Sequence, residues 1–224
     1  MPHLSALEKT YRLLNLHYGL QNWWPAETAF EVVVGAILTQ NTSWKNVTRA
    51  LDNLKRERLL DPHRLFRVPI QRLAELIRPS GYYRIKAKRL HNVLEYLITR
   101  SNGSLNKLAH IPLTQLRSEL LEINGVGPET ADCIILYAVE QPSFVVDTYT
   151  FRICARHGWY TPPFNYERLK NCFESNFPED VKFYQEFHAL LVRVGHDYCG
   201  TTPQCTGCPL RTLLPDSGPH PLET

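Results

Sequence analysis

The chain has 224 residues, and 25 Lys and Arg against 22 Asp and Glu leave a formal net charge of +3. Because so small a positive surplus occurs in proteins of every class, bulk charge does not identify a nucleic-acid partner. Hydrophobic residues make up 43% of the chain and aromatic residues 11%. That is enough to bury the core of one large domain or two small ones, and it excludes collagen-like, fibrous and disordered proteins.

Four segments repeat apolar residues at the i, i+3, i+4 and i+7 spacing of one helix face, beginning at Phe30, Leu90, Ala131 and Phe187. Residues 30–38 are apolar on nearly every face, which predicts a buried central helix with amphipathic helices around it. No segment alternates apolar and polar residues in the manner of a half-buried strand. The pattern therefore predicts an all-α fold.

Proline and glycine signals divide the chain into about ten helices of ordinary length. There is no repeat, low-complexity tract or long linker, so any division must arise from packing. We expect two helical lobes with an active cleft between them. The first lobe comprises residues 28–141 and contains a hairpin at about 121–132, and the second comprises residues 1–27 with 142–224.

No stretch reaches the roughly 18 consecutive apolar residues of a membrane span, and the first residues have no charged-then-apolar signal region. These features predict a cytoplasmic protein, or a nuclear one in a eukaryote, without membrane contact. In such a reducing compartment, cysteines serve packing, metal binding or catalysis rather than disulfides. Three lie in apolar helical patterns and are predicted to pack in the core: Cys133, Cys154 and Cys172.

Residues 121–132 carry the most informative motif, in which Gly125-Val126-Gly127-Pro128 joins two predicted helices. The glycines allow a tight turn, Val126 can plug between the helices, and Pro128 suits the first turn of the second helix. The N–H groups left unpaired at that turn can hold a phosphate oxygen without a charged side chain. The alternative is an ordinary αα-hairpin with no ligand.

Asp147 follows the short apolar run Phe144-Val145-Val146 and stands at the predicted start of the next helix. Its structural role there would be an N-cap. A carboxylate in that place also suits a reaction that passes through a cationic sugar. The two roles are compatible.

The hairpin followed by an aspartate resembles the helix-hairpin-helix DNA glycosylases of the endonuclease III superfamily, over about residues 23–208. Within that superfamily the chain is most similar to the bacterial 3-methyladenine DNA glycosylases. The segments that carry this likeness are Trp23-Trp24-Pro25, Phe30-Glu31, residues 38–42, residues 78–83, residues 86–90 and residues 127–132.

The resemblance implies that Asp147 stabilises the developing oxocarbenium ion and orients the attacking water. It also implies that Glu129 lies in the base pocket, where the bifunctional enzymes of the superfamily carry a Schiff-base lysine. The alternative is that Glu129 is a solvated acid in the first turn of a helix, favoured there by the helix dipole. Since a carboxylate cannot form that imine, we expect no strand cleavage. Trp24 and Trp44 are predicted to sandwich an electron-poor cationic base, with Trp23 beside them or in the core.

The resemblance further implies that Gln40 fills the gap left by the flipped base and that Tyr82 wedges into the opposite strand. The alternatives are that Gln40 caps the buried helix and that Tyr82 packs on the Pro79 turn. DNA contacts are predicted for the hairpin residues Gly125, Val126 and Gly127. Phosphate contacts are also predicted for a basic cluster, whose alternative is a solvated helix face: Arg84, Lys86, Lys88 and Arg89.

Cys199, Cys205 and Cys208 resemble the first three ligands of the [4Fe–4S] cluster found in many superfamily members. The fourth ligand is due near position 214, where this chain has Leu214. Three interpretations stay open. They are a cluster with an outside ligand, a zinc site completed by His196 or His220, and a loop without metal.

Together these features predict a monomeric, monofunctional DNA glycosylase of base excision repair. It would flip an alkylated purine such as 3-methyladenine out of damaged double-stranded DNA and hydrolyse its N-glycosidic bond. One alternative is an endonuclease III-type glycosylase and lyase acting on oxidised pyrimidines with another lysine. The other is a non-catalytic helix-hairpin-helix DNA binder.

Overall fold

The computed structural model describes residues 4–21 and 26–222, and these divide into two compact units. We call residues 26–141 the central unit and residues 4–21 with 142–222 the terminal unit. Both are helical, and the described residues contain no strand, only an isolated bridge between Cys199 and Pro203. The all-α prediction with two helical bodies is therefore confirmed.

The central unit contains eight α-helices, one π-helical segment and one 3₁₀ turn. The α-helices are α2 (Ala29–Leu38), α3 (Trp44–Arg56), α4 (Pro62–Phe66), α5 (Ile70–Leu76), α6 (Tyr83–Ser101), α7 (Leu105–Leu108), α8 (Leu113–Glu122) and α9 (Pro128–Cys133). The π segment, Ile134–Val139, continues α9, and the 3₁₀ turn, Arg78–Ser80, precedes α6.

Helix α2 is the buried centre of this unit, as the sequence predicts. Every residue from Phe30 to Leu38 is buried, and α2 packs against α3, α6, α9 and the π segment. The hydroxyl of Thr28 begins the helix by accepting a hydrogen bond from the Glu31 N–H group. The buried Glu31 carboxylate forms an ion pair with Lys55 of α3 at 2.7 Å, so its charge is compensated.

The terminal unit contains four α-helices and two 3₁₀ turns near its C-terminal end. The helices are α1 (Leu4–Tyr18), α10 (Thr148–Arg156), α11 (Tyr166–Glu174) and α12 (Val181–Asp197). The 3₁₀ turns are Cys205–Gly207 and Arg211–Leu213. Helix α12 packs against both α1 and α10, so it organises this unit.

Aromatic side chains fill the core of the terminal unit. The rings of Phe144 and Phe173 stack with their centroids 4.3 Å apart, and Tyr184 and Phe187 meet Phe144 edge-on. Phe144, Val145 and Val146 are fully buried in this core. This apolar run anchors the chain immediately before Asp147.

The described residues form twelve α-helices, where the sequence predicts about ten. Helices α4 and α7 have five and four residues, which is too short for a helical period to be detected. The three cysteines expected in the core, Cys133, Cys154 and Cys172, are buried. Among the described helices, none combines the length and apolar character needed to cross a bilayer.

Candidate functional site

The hairpin between α8 and α9 has the backbone that its glycines predict. Gly125 adopts φ +99°, and a Cβ at this position would overlap the side chain of Arg89. Val126 is buried and its N–H group donates to the Ile123 carbonyl at 3.0 Å. Gly127 is the N-cap residue of α9 and Pro128 its first residue. Position 125 therefore requires glycine, because a side chain would disfavour the positive φ and would overlap Arg89.

Gly127 and Glu129 form the outer surface of this hairpin. Both are exposed, and no atom lies within 4 Å of where a Gly127 Cβ would stand. Glu129 lies in the first turn of α9. The first turn of α9 thus carries an exposed carboxylate at the positive end of the helix dipole.

Gln40 follows α2 and is bound to the hairpin through both ends of its amide. Its Nε2 donates to the Gly125 carbonyl at 3.1 Å and to Thr130 Oγ1 at 3.0 Å. Its Oε1 accepts a 2.6 Å hydrogen bond from Arg89 Nη1. The C-cap residue of α2 is Thr39, so the structure assigns Gln40 to the hairpin rather than to the end of α2.

Tyr82 stands in a strained turn before α6. Gly81 and Tyr82 have φ +66° and +44°, and a left-handed backbone is uncommon for a bulky residue. The Tyr82 ring is 69% exposed, and Ile85 in the first turn of α6 is 52% exposed. Two large apolar side chains are thus presented to solvent beside the exposed cations Arg84 and Lys88.

Lys86 corrects the interpretation of the basic cluster. Its side chain is 1% exposed, and Nζ donates to the carbonyls of Leu38 and Ser80 at 2.8 and 2.7 Å. Burial, with a smaller contribution from the charge of Arg89, lowers the Lys86 pKa to about 8. Lys86 is therefore an internal hydrogen-bond donor and does not contact phosphate. Of the other residues predicted to contact phosphate, Lys88 is exposed and Arg89 is half-buried.

Asp147 is the N-cap residue of α10, as predicted. Its Oδ1 accepts hydrogen bonds from the Thr150 N–H group at 2.7 Å and from Thr150 Oγ1 at 2.8 Å. Both bonds reach the same oxygen, so the carboxylate is held firmly and its second oxygen can point elsewhere. Burial lowers the pKa of nearby His188, and the Asp147 charge partly offsets this effect.

Of the three tryptophans predicted for the base site, the structure describes Trp44. Trp44 is half-buried and is the first residue of α3, three residues after the exposed Asn41. Trp23 and Trp24 lie outside the described residues. The sandwich of a base between Trp24 and Trp44 therefore stays a prediction.

The C-terminal cysteine loop is folded against α10 and α12. Cys199, Cys205 and Cys208 line one small cavity together with Leu214. The buried Arg156 guanidinium donates to Cys199 Sγ at 3.1 Å and to the carbonyls of Gly200 and Thr201, both at 2.7 Å. Burial raises the pKa of the Cys199 and Cys208 thiols.

The sequence profile of the HhH-GPD superfamily, described as base excision DNA repair proteins, matches residues 34–179 of this chain. A Methanocaldococcus jannaschii protein, provisionally named a DNA repair glycosylase, is 49% identical over 209 residues. This alignment covers 92% of this chain and 94% of that protein. The chain belongs to the HhH-GPD superfamily. This finding confirms the predicted superfamily, and by class the chain is a DNA repair glycosylase.

Two further proteins are similar to this chain over most of their length. Endonuclease III of Thermotoga maritima is 30% identical over 186 residues, which cover 81% of this chain and 80% of that enzyme. The Helicobacter pylori 3-methyladenine DNA glycosylase MagIII, solved with bound 1,N6-ethenoadenine, superposes with a TM-score of 0.76 at 27% identity. That superposition covers 88% of this chain and 98% of MagIII.

The cysteine loop does not fit the four-cysteine cluster that the HhH-GPD resemblance implies. It supplies three thiols, and an apolar Leu214 stands where a fourth ligand is needed. His196 is paired with Asp197, and the ring of His220 lies over Gly158, so neither lines the cavity. In the part of the chain that is described, no cluster of three or more His, Cys, Asp or Glu side chains is arranged to hold a metal ion.

Two features of α6 were not predicted from the sequence. Ile85 was missed because it lies off the apolar stripe that begins at Leu90. Lys86 was misplaced because it stands among cations, although it lies four residues before Leu90 and therefore on the inner face of α6. Helical periodicity, extended one turn before Leu90, places Lys86 on the buried face of α6 and Ile85 off that face.

Proposed function

We propose that this HhH-GPD protein is a monofunctional DNA glycosylase that hydrolyses the N-glycosidic bond of alkylated purines such as 3-methyladenine. The observation that carries the proposal is Glu129, which stands exposed in the first turn of α9 directly after the hairpin. A carboxylate there cannot attack the sugar carbon to form an imine. Base release would therefore leave an abasic site with an intact strand.

Lys86, the lysine nearest in sequence to Tyr82, is also a poor candidate for Schiff-base chemistry. A pKa lowered to about 8 is the kind of shift that activates a nucleophilic lysine. Lys86 Nζ, however, is buried and donates to two backbone carbonyls. It would have to leave both partners and the core of the central unit to reach a sugar.

Two observations support alkylated purines as the substrate class. The chain is similar to MagIII over nearly the whole length of that enzyme, which is described as a 3-methyladenine glycosylase. In addition, a half-buried tryptophan begins α3. A 3-methylated adenine carries a formal positive charge, and an aromatic face binds such a ring better than a neutral one, by about 1–2 kcal/mol when water is excluded.

Asp147 is proposed to carry the chemistry. An N3-alkylated purine is already a good leaving group, so the enzyme needs little general-acid assistance. What the reaction requires is a fixed negative charge beside the developing oxocarbenium ion and an oriented water. Asp147 suits both tasks because Thr150 holds one carboxylate oxygen through two hydrogen bonds.

The central unit is proposed to bind double-stranded DNA containing the damaged base. The hairpin N–H groups and the exposed Lys88 would contact phosphates. Tyr82 would wedge between bases of the opposite strand, and Gln40 would enter the space left by the flipped nucleotide. Unstacking and unpairing that nucleotide costs a few kcal/mol, which such insertions offset.

The experiment that tests this proposal measures which bases the protein releases. Purified protein is incubated separately with DNA methylated by an alkylating agent and with DNA containing oxidised pyrimidines, and the released bases are separated by chromatography. In parallel, each reaction is treated with borohydride, which traps a covalent enzyme–DNA imine. We expect release of 3-methyladenine, no trapped adduct and no strand cleavage.

The similarity to Thermotoga maritima endonuclease III defines the opposing result. Release of oxidised pyrimidines without methylpurines would refute the substrate class. A borohydride-trapped adduct would refute the monofunctional mechanism and would show that another lysine supplies lyase activity. Neither base release nor trapping, with DNA binding retained, would indicate a non-catalytic binder.

A further inference from the structure

Two cations of α6 bind parts of the central unit that are distant in sequence. Lys86 Nζ donates to the carbonyl of Leu38, which ends α2 two residues before Gln40. It also donates to the carbonyl of Ser80, which ends the 3₁₀ turn two residues before Tyr82. A single buried ammonium therefore joins the backbone that leads to Gln40 and the backbone that leads to Tyr82.

Arg89, three residues further along α6, binds the side chain of Gln40. Its Nη1 donates to Gln40 Oε1, while Gln40 Nε2 donates to Gly125 and Thr130. The aliphatic part of Arg89 covers Gly125 so closely that no side chain fits there. The head of Arg89 thus orients the Gln40 amide, because only Oε1 can accept from a guanidinium, and its stem supports the hairpin.

We propose that Lys86 and Arg89 are positioning residues that preset Gln40, the Tyr82 turn and the hairpin for simultaneous engagement of a duplex. We call this pair the α6 clamp. The inference rests on the proposed function and deepens it, because it concerns how the same DNA-binding elements are kept in register. Neither residue needs to touch DNA for this role.

The physical basis of the clamp is the satisfaction of buried or half-buried polar groups. Leu38 and Ser80 end their helical segments, so their carbonyls lack intrahelical partners, and the ammonium supplies the donor that each requires. Tyr82 is held in a left-handed backbone that is unfavourable for its residue type. Such a turn persists only when neighbouring groups hold it, and the bond from Lys86 to Ser80 lies two residues away from the strained position.

The test measures the insertion of Gln40 and Tyr82 into a duplex separately from DNA affinity and from base release. A duplex carries a tetrahydrofuran abasic analogue, with 2-aminopurine in the opposite strand, so that unstacking of that strand raises the fluorescence. The variants are K86M and R89M, which remove the donors but keep apolar volume. The conservative variant is R89K, which still has an N–H group for Gln40 Oε1. The matched control is K88M, which removes an exposed cation from the same helix.

We expect wild-type protein to raise the fluorescence. K86M and R89M should lower the equilibrium constant for insertion by roughly tenfold and reduce the plateau reached at saturating protein, since each removes a charged hydrogen bond that orders an inserting element. R89K should restore most of the signal. K88M should require more protein but reach the wild-type plateau, because a phosphate contact affects affinity and not insertion.

Circular dichroism and thermal melting of each variant test whether unfolding causes the lower plateau. Arg89 is half-buried whereas Lys86 is buried, so R89M is less prone to unfold than K86M. Full plateaus for folded K86M and R89M would overturn the clamp while leaving the proposed reaction intact. The absence of a fluorescence rise with wild-type protein would overturn it as well. If the plateau falls in K86M and R89M as expected but wild-type protein releases no methylpurine, the clamp stands and the proposed substrate is refuted.

Discussion

Replacement of Asp147 by Asn separates the two roles that the structure gives this residue. Asn keeps the oxygen that accepts from Thr150 N–H and Oγ1 at 2.7 and 2.8 Å, and Asn and Asp are similar as N-cap residues. The stability cost should therefore be mainly the lost attraction between the carboxylate and the helix dipole, about 0.3–1 kcal/mol. With an unfolding entropy of about 2.1 cal/mol/K per residue, a chain of 224 residues should melt at most about 2 °C lower.

The effect on base release should be far larger than this. Removing one preorganised electrostatic group at a transition state costs on the order of 10²–10³ in rate, which is about 2.7–4 kcal/mol. The assay is single-turnover release of 3-methyladenine from methylated duplex, with binding to an abasic-analogue duplex measured in parallel. We expect D147N to lose release and to retain binding.

Two variants at Thr150 provide the matched controls for this prediction. T150S keeps the hydroxyl donor and should release base at the wild-type rate, although it loses a buried methyl group. T150V loses the 2.8 Å bond but leaves the Asp147 charge in place. T150V should lower stability by about 1 kcal/mol and reduce release much less than D147N. A D147N protein that releases base within a few-fold of wild type would falsify the chemical role and leave Asp147 as a cap alone.

Three further predictions follow from the contacts described above. G125A should lower both the melting temperature and the DNA affinity, because Gly125 has φ +99° and a Cβ there would overlap Arg89. G127A is the control, because no atom lies within 4 Å of where its Cβ would stand. Equal losses of melting temperature and affinity in the two variants would contradict this prediction. His157, the C-cap residue of α10, and His188 of α12 are both buried, and burial lowers the pKa of each below the ordinary 6.5. The unfolded chain therefore binds protons first, and the urea midpoint should fall as pH is lowered from about 7.5 to about 5.5. A midpoint that does not change over this range would refute the prediction. L214C should retain more iron than wild type after anaerobic reconstitution, since it adds a fourth thiol at the cavity. Equal iron contents at the level of one cluster per protein would show that wild type obtains a fourth ligand elsewhere, and negligible iron in both proteins would show that the loop does not bind a cluster.

Local sequence features were sufficient for several elements of the site. The N-cap role of Asp147 was predictable because it depends on residues within one helical turn. The turn at Gly125 and the start of α9 at Pro128 were predictable for the same reason. The burial of α2 followed from the apolar character of its whole circumference.

Contacts between segments distant in sequence could not be derived in this way. Gln40 binds Gly125 and Thr130, which are 85 and 90 residues away, and nothing local to Gln40 indicates those partners. Lys86 illustrates the same limit, because a lysine among other cations is usually solvated. Only the packing of α6 against α2 and the 3₁₀ turn places carbonyls that can satisfy its charge.

The sequence by itself therefore determined the all-α class, the hairpin, the helix cap at Asp147, the superfamily resemblance and the cysteine loop that lacks a ligand at Leu214. These follow from side-chain type and short-range spacing. The tertiary structure decided which cations remain at the surface and which serve inside, and which residues hold Gln40 and the Tyr82 turn. The physical reason is that desolvation and hydrogen-bond satisfaction depend on every segment packed around a group, and those neighbours are brought together only by folding.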